Sequence, residues 1–244
     1  MNTFRNAALT VSGISKSFDG EFIIDGISFV VEPHSVTALL GQSGCGKTTL
    51  LNIISGLTIP DTGSIAINGT ILNGNSEHIS YMQQDDLLMP WKRVIDNIAL
   101  PLVIKGSTPE TARKKVREYL PLFGLERYAN AYPYELSGGM RQRAALLRTY
   151  ICSGKVLLLD EPFGALDAKT RAVMHEWFRS IINELHPAVL LVTHDVHEAL
   201  SLADTVIVIK GRPARISGII TVPSVSLQTV EENSQIKQRI WDAL

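Results

Sequence analysis

One short stretch of this sequence has the residue types and the spacing of a phosphate-binding loop. GQSGCGKT at residues 41–48 fits the pattern in which glycines turn backbone N–H groups inward around phosphate oxygens. Lys47 can neutralise the β- and γ-phosphates, and the Thr48 hydroxyl can ligate Mg²⁺. The stretch lies between a predicted buried strand and a predicted helix, which favours a nucleotide site over a glycine-rich turn that binds nothing. The residues of this predicted site are Gly41, Gln42, Ser43, Gly44, Cys45, Gly46, Lys47, Thr48 and Thr49.

A second stretch, VLLLDEP, ends a predicted buried strand with two adjacent carboxylates, Asp160 and Glu161. Neighbouring side chains of a strand point to opposite sides, so the two cannot do the same work. With a phosphate loop upstream, we expect Asp160 to reach the Mg²⁺ ion and Glu161 to activate a water as general base. Without that loop, a strand that simply ends in charged residues would be an equally good interpretation.

His194 follows another predicted buried strand, LLVTH. The carboxyl ends of parallel strands meet at one edge of a sheet, where ligands bind. A lone histidine is more often structural. Because this one ends the strand after the acidic strand, we expect it to contact the γ-phosphate or the attacking water.

LSGGMRQR, residues 136–143, predicts a second anion site at the start of a helix. The Ser137 hydroxyl and the amides of Gly138 and Gly139 would be its donors, supported by the helix dipole. One chain thus carries two groups of phosphate donors, and the residues alone do not explain why.

The elements that must position these groups indicate an α/β fold. Residues 7–40 alternate like strands, and KVLLLD (155–160), AVLLVTH (188–194) and TVIVIKG (205–211) are continuous apolar runs with helices between them. That pattern is typical of a parallel sheet covered on both faces. Residues 86–150 are predicted to be mainly helical, with one helix beginning at Thr108-Pro109-Glu110 and stopping near Gly124. A tail from about 213 to 244 could close with a short amphipathic helix on Ile236, Ile240 and Leu244.

Composition excludes several classes of function. The chain has 244 residues, a formal net charge of −1 and two cysteines. There is no basic excess of the kind that marks a nucleic-acid-binding protein, so we expect no nucleic-acid partner. We see no secretory signal at the start and no apolar run near the roughly 20 residues that span a bilayer, so we expect a protein that is soluble by itself.

Together these stretches resemble the nucleotide-binding subunit of ABC transporters, over about residues 8–215. In the family's order, GQSGCGKT resembles its Walker A motif, LSGGMRQR its signature and VLLLDE its Walker B motif. ALD at 165–167 is similar to its D-loop, VTHD carries its switch histidine, and Gln84 in YMQQDDLLMPW is similar to its Q-loop glutamine. Phe18 lies where the family places an aromatic residue that stacks on adenine.

The resemblance implies a P-loop NTPase (RecA-like) core with an antiparallel β subdomain and a helical subdomain, in one domain spanning 1–244 with the helical part at about 86–150. It also implies an ATPase that uses ATP and Mg²⁺, with Gln84 contacting the metal and the attacking water. Two copies of the chain would pack head to tail, so that each signature closes over the ATP of the other chain. Asp167 would help to set that interface. The residues implied for the signature contact are Ser137, Gly138, Gly139, Met140 and Gln142.

QDDLLMPW, DEPFGALDAKTR and KGRPARI resemble bacterial importers of nitrate, taurine, alkanesulfonates and thiamine-precursor pyrimidines. The implied partners are transmembrane permease subunits and, indirectly, a solute-binding protein, with the chain on the cytoplasmic face of the membrane. Residues 87–91 either line a groove for a permease helix or pack in the core at a helix start.

Two alternatives remain at this stage. A soluble ABC ATPase that serves an assembly process fits the length but should lack the QDDLLMPW and GRPARI features. A P-loop kinase of a small metabolite does not account for LSGGMRQR. We also expect the Cys45 thiol to be reachable near the phosphates, so that its alkylation would block nucleotide binding and Cys45→Ser would be immune.

Overall fold

The computed structural model describes residues 7–72, 74, 77–152, 156–223 and 230–244. The N-terminal hexapeptide and Lys155, with which a predicted strand begins, lie outside these residues, as does part of the predicted tail. The chain opens with three strands, β1 (Leu9–Phe18), β2 (Glu21–Val31) and β3 (Val36–Leu40), as its alternation predicts. Two more strands follow, β4 (Thr62–Ile67) and β5 (Thr70–Ile71), and form with the first two an antiparallel sheet of order β2-β1-β4-β5.

A six-stranded sheet is formed by β3 and five later strands. These are β6 (Ile79–Met82), β7 (Val156–Asp160), β8 (Ala188–Thr193), β9 (Thr205–Lys210) and β10 (Arg215–Thr221). Its order is β10-β9-β3-β8-β7-β6, with only β10 antiparallel to its neighbour. The carboxyl ends of β3, β6, β7 and β8 therefore lie at the same edge.

Apolar groups cover this sheet on both faces, which explains why its strands are apolar without alternation. On β7, Leu157 and Leu159 pack into one core with the middle and late helices of the chain. Val156 and Leu158 pack into a second core. That second core also contains Leu50 of helix α1 (Lys47–Ile54) and strands of the antiparallel sheet.

The region predicted to be helical contains three α-helices, α2 (Val94–Ile104), α3 (Pro109–Tyr119) and α4 (Gly138–Cys152), and two short 3-10 helices at Glu126–Tyr128 and Pro133–Glu135. Helix α3 begins as predicted, with the Thr108 side chain accepting from the amide of Thr111. It ends at Tyr119, earlier than the predicted stop at Gly124. Within the region predicted to be mainly helical, residues 86–93 are not helical, and Leu87 there has a left-handed φ of 46°.

Later helices are α5 (Ala168–Leu185), α6 (Val196–Leu202) and α7 (Val230–Ala243). Helix α7 confirms the amphipathic tail helix, with Ile236 and Ile240 buried in the first core. Across the described ranges, the helices are too short or too polar to cross a membrane.

Asn97 on α2 holds the irregular loop that precedes this helix. Its side chain is fully buried and its Oδ1 accepts from the Met89 amide at 2.7 Å. Its Nδ2 donates to the carbonyl oxygens of Met89, Lys92 and Arg93 at 3.1–3.2 Å. One side chain thus replaces the regular backbone hydrogen bonds that the loop lacks.

Replacement of Asn97 by alanine should therefore lower the free energy of unfolding by about 2–3 kcal/mol, because the partly buried Met89 amide and three loop carbonyls lose their partner. Chemical denaturation of the two proteins measures this difference. Asn130→Ala, at an exposed position of the same region, is the control and should change stability by less than about 0.5 kcal/mol. Equal effects of the two changes would contradict this role of Asn97.

Candidate functional site

The phosphate loop connects the end of β3 to the start of α1, and its shape depends on glycine. A Cβ atom on Gly41 would lie 2.8 Å from Ile209 of β9, closer than real contacts allow. Gly44 and Gly46 have φ values of 77° and 106°, a region that side chains disfavour. The loop can therefore curl tightly, with the N-terminus of α1 behind it.

Lys47 and Thr48 are the first residues of α1, and both already make polar contacts across the loop. The Lys47 ammonium is only 6% exposed and donates to the carbonyl oxygens of Gly41 and Gln42 at 2.8 and 3.0 Å. The Thr48 hydroxyl donates to Oδ2 of Asp160 at 3.2 Å. A positive charge and a hydroxyl are thus held beside the loop amides.

Asp160 ends β7 as a buried carboxylate with two hydroxyl donors on one oxygen. Besides Thr48, the Tyr81 hydroxyl donates to the same Oδ2 at 3.2 Å. Burial raises the pKa of Asp160, and the two hydrogen bonds oppose that shift. Tyr81 was missed by sequence reasoning. It lies on β6, the parallel neighbour of β7, and although it begins the stretch that contains Gln84, that pattern assigns it no role.

Glu161 follows Asp160 in the sequence, and its carboxylate contacts a different residue. Its Oε1 lies 3.1 Å from Nδ1 of His194, the residue after β8. Its backbone is left-handed, with a φ of 44°, while its amide still donates to the carbonyl of Val192. The two adjacent carboxylates have different partners, in agreement with the alternation argument.

Most of the predicted nucleotide-site residues lie around one cavity of about 450 Å³. Ile23 of β2 also lines it, which the sequence did not indicate. Gly41, Gln42, Cys45 and His194 are not among its lining residues. The lining residues are Phe18, Ile23, Ser43, Gly44, Gly46, Lys47, Thr48, Thr49, Gln84, Asp160 and Glu161.

Phe18 lies at the rim of this cavity with a polar group over its ring. The ring is 47% exposed, and the Lys16 ammonium lies 5.3 Å from its centroid. Asp61 fixes that lysine at 2.7 Å and also accepts from the Ser17 amide. The hydrogen bonds from Lys16 and Ser17 lower the pKa of Asp61 to about 2. Phe18 is thus an exposed aromatic side chain whose position is supported from the antiparallel sheet.

The structure overturns the expectation that the Cys45 thiol is reachable. Cys45 is 9% exposed and packs in the second core, and its Sγ lies 2.9 Å from where a Cβ on Gly41 would be. Burial raises the pKa of this thiol, which disfavours the reactive thiolate. Alkylation of the folded protein is therefore not expected to block nucleotide binding.

The second group of predicted phosphate donors lies outside this cavity, at the start of α4. Ser137 is exposed, and its Oγ accepts from the Met140 amide over 3.4 Å, a long hydrogen bond. Gly139 packs against α5, since a Cβ there would lie 3.3 Å from Thr170. Gln142 is 6% exposed, and its Oε1 has no hydrogen-bond partner among the described residues.

Asp167 caps α5 by accepting from the amides of Lys169 and Thr170 at 3.1 and 3.0 Å. The Thr170 hydroxyl also donates to this carboxylate, at 2.6 Å. That hydrogen bond first, and the amide hydrogen bonds after it, lower the pKa of Asp167. One turn later, Arg171 donates to the carbonyl of Leu166 at 2.8 Å and lies 3.8 Å from Asp195. The loop before α5 is thereby connected to the loop that carries His194.

A P-loop after β3, two carboxylates at the end of β7 and a histidine after β8 define a nucleotide-hydrolysing protein of the P-loop class. The family model described as ABC transporter matches residues 24–164. The chain belongs to the ABC transporter family, and it is an ATP-binding subunit and an ATPase of that family.

Similar proteins agree with this assignment. The aliphatic sulfonates import ATP-binding protein SsuB of Albidiferax ferrireducens is 39% identical over 98% of this chain and 84% of that protein. The formylaminopyrimidine import ATP-binding protein ThiZ of Halalkalibacterium halodurans is 38% identical over 89% of this chain and 85% of its own length. The solved structure of cbiO1 from Clostridium perfringens, part of the ABC transporter complex cbiONQ, has a TM-score of 0.82 and 24% identity, and the match covers 97% of each chain.

These findings confirm the expected family, fold class and ATPase activity. Because the named relatives are ATP-binding subunits of importers, the expectation of an importer subunit is confirmed, without a choice of solute. A soluble ATPase outside transport is not favoured.

A buried acid, Glu198 on α6, lies behind the site and was not singled out from the sequence. It is 3% exposed, and its Oε1 has no hydrogen-bond partner among the described residues. Burial first, and the charge of Asp195 second, raise its pKa to about 7. Thr193 and Arg171 act in the opposite direction, and Glu161 adds a smaller increase.

Glu198 should make stability depend on pH, because the folded state favours its neutral form. Below the ordinary pKa of 4.5, Glu198 is protonated in both the folded and the unfolded protein. As the pH rises from there to about 7, the unfolded protein loses this proton more readily than the folded protein, so the free energy of unfolding falls. Glu198→Gln should therefore gain roughly 2–3 kcal/mol relative to wild type between pH 4.5 and pH 8. Denaturant unfolding at both pH values measures this, with Glu176→Gln, an exposed change on α5, as the control. A pH-independent difference would refute the assignment.

Proposed function

We propose that this chain powers the import of a small solute of the nitrate, sulfonate, taurine or thiamine-precursor pyrimidine type. Relatives named for the import of aliphatic sulfonates and of formylaminopyrimidine support this class of solute. The subgroup's features also support it: GRPARI lies outside the ATP-binding motifs, and QDDLLMPW begins at Gln84 and runs on beyond the ATP cavity. The cavity at the sheet edge, with its lysine, carboxylates and glutamine, is the observation that carries the ATPase part.

In this proposal Lys47 and the loop amides bind the β- and γ-phosphates of ATP. Glu161 accepts the proton of the attacking water, and His194, within 3.1 Å of its carboxylate, orients that group and contacts the γ-phosphate. Phe18 stacks on adenine with its open face. Gln84 lies on the wall of the same cavity, where it can reach the attacking water.

Mg²⁺ fits the oxygen donors of this cavity. The Thr48 hydroxyl and the Asp160 carboxylate are 3.2 Å apart, and the Gln84 amide lines the same space. A hard cation prefers such oxygen ligands. When bound, the ion would neutralise charge on the phosphates. Thr48, Gln84 and Asp160 would hold it.

Two copies of the chain would assemble head to tail. The support for this is that Ser137 is exposed and outside its own ATP cavity, although its hydroxyl and the amides of Gly138 and Gly139 are anion donors. Each signature would then complete the ATP site of the other chain, with Met140 and Gln142 in the same helix turn and Asp167 near the interface. Hydrolysis would depend on dimer formation.

A transmembrane permease would dock on the loop before α2. Leu87 and Trp91 are 54% and 72% exposed, whereas Leu88 between them is buried. The loop therefore presents separate apolar side chains to a partner while anchoring itself in the core. A permease would hold the chain at the cytoplasmic face of the membrane, and a solute-binding protein would deliver the cargo to the permease.

Glu161→Gln should still bind ATP but hydrolyse it at least about 100-fold more slowly, because it lacks the general base. It should accumulate as a dimer with ATP, measured by light scattering. Adding Ser137→Arg should keep that variant monomeric at the same ATP occupancy, since the arginine blocks the trans contact. Equal behaviour of the single and double variants would contradict the shared-site account.

Gentle extraction of the tagged chain from its native cells tests the transport role. We expect mass spectrometry to find a multi-spanning permease, and a binding protein that can be screened with nitrate, sulfonates and pyrimidines. Recovery of soluble partners alone, in every detergent tried, would instead favour an assembly ATPase. Release of inorganic phosphate without a phosphorylated acceptor distinguishes both from a kinase.

A further inference from the structure

The loop that follows Gln84 is tied directly to the signature helix α4. Arg148 of α4 donates from Nη1 to the Leu87 carbonyl at 2.8 Å and from Nη2 to the Asp86 carbonyl at 2.5 Å. One guanidinium therefore holds two consecutive peptide units of the loop. Gln84, two residues earlier, lines the ATP cavity.

Arg141 makes a second link, closer to the signature. Its Nε lies 3.2 Å from Oδ2 of Asp86, and its Nη1 donates to the Leu136 carbonyl at 3.0 Å. Leu136 immediately precedes Ser137. A single side chain thus bridges the loop after Gln84 and the residue before the signature serine.

These contacts make the connection stiff. The Asp86 carboxylate uses its other oxygen, Oδ1, to accept from the Leu88 amide at 3.0 Å. Leu87 between them has a left-handed backbone, which a leucine adopts only when its surroundings impose it. The planar fork of arginine fixes two acceptors at once, which the single ammonium of a lysine cannot do.

We propose that Arg141 and Arg148 clamp the segment 86–88 to α4, so that the position of Gln84 in a chain's own ATP site sets the position of the signature that this chain offers to its partner. The proposal rests on the proposed function, in which Gln84 responds to bound ATP. Arg141 and Arg148 are positioning residues, because they touch neither the cavity nor its ligand. The same clamp connects the exposed Leu87 side chain, where the permease would dock, to α4.

Hydrogen exchange of a monomeric, hydrolysis-deficient protein tests this link within one chain. The parent is Glu161→Gln with Ser137→Arg, used at a concentration where light scattering gives a monomer. Mg²⁺–ATP should slow exchange at amides 84–88 and at 138–143 by roughly fivefold or more. Adding Arg141→Met should keep the response at 84–88 and abolish it at 138–143. Arg148→Lys, which keeps the charge, should weaken the response at 138–143. The control Arg117→Met, an exposed change on α3, should leave both responses as they are in the parent.

Each outcome decides one question. A response at 138–143 that survives both Arg141→Met and Arg148→Lys overturns the clamp but leaves the proposed function intact. A parent whose amides respond at 84–88 and not at 138–143 also overturns it. A parent that binds ATP with no response at 84–88 refutes Gln84 as the sensor, and the clamp with it. Equal thermal midpoints of the variants exclude a simple loss of folding.

Discussion

The site depends on one constraint, the common direction of four parallel strands. Because β3, β6, β7 and β8 run the same way, their carboxyl ends meet at one edge, and each ends at or is followed by a residue of the candidate site. Residues more than a hundred positions apart in sequence, such as Thr48 and Asp160, thus come within hydrogen-bond distance. Reversing any one of these strands would remove its group from the site.

The same edge carries only one of the two groups of predicted phosphate donors. The loop amides, Lys47 and the carboxylates surround the cavity, while Ser137 lies on a separate surface at the start of α4. Ser137 and Gly139 differ in accessibility, since the serine is exposed and the glycine packs on α5. In the proposed head-to-tail dimer, a site divided in this way would make the chemistry conditional on assembly, and that condition would allow hydrolysis to be coupled to movement.

Sequence reasoning succeeded where backbone geometry alone decides the outcome. The glycine pattern, the buried strands and the Thr108 cap could be predicted because local conformation fixes them. Tyr81, Ile23 and Asn97 could not, since their roles arise from strand order and packing that no local pattern encodes. The prediction that the Cys45 thiol is reachable was wrong for the same reason. The motif gave its position in the loop but not the core toward which its sulfur turns.

Gly41 has a consequence for how this protein can change over generations. A side chain at this position would collide with Ile209, so the phosphate loop and strand β9 share one small volume. Strand β9, which does not line the ATP cavity, therefore limits the shape of the loop. Because the collision involves the backbone oxygen of Ile209 as well as its side chain, a smaller residue at position 209 could not make room for a side chain at position 41.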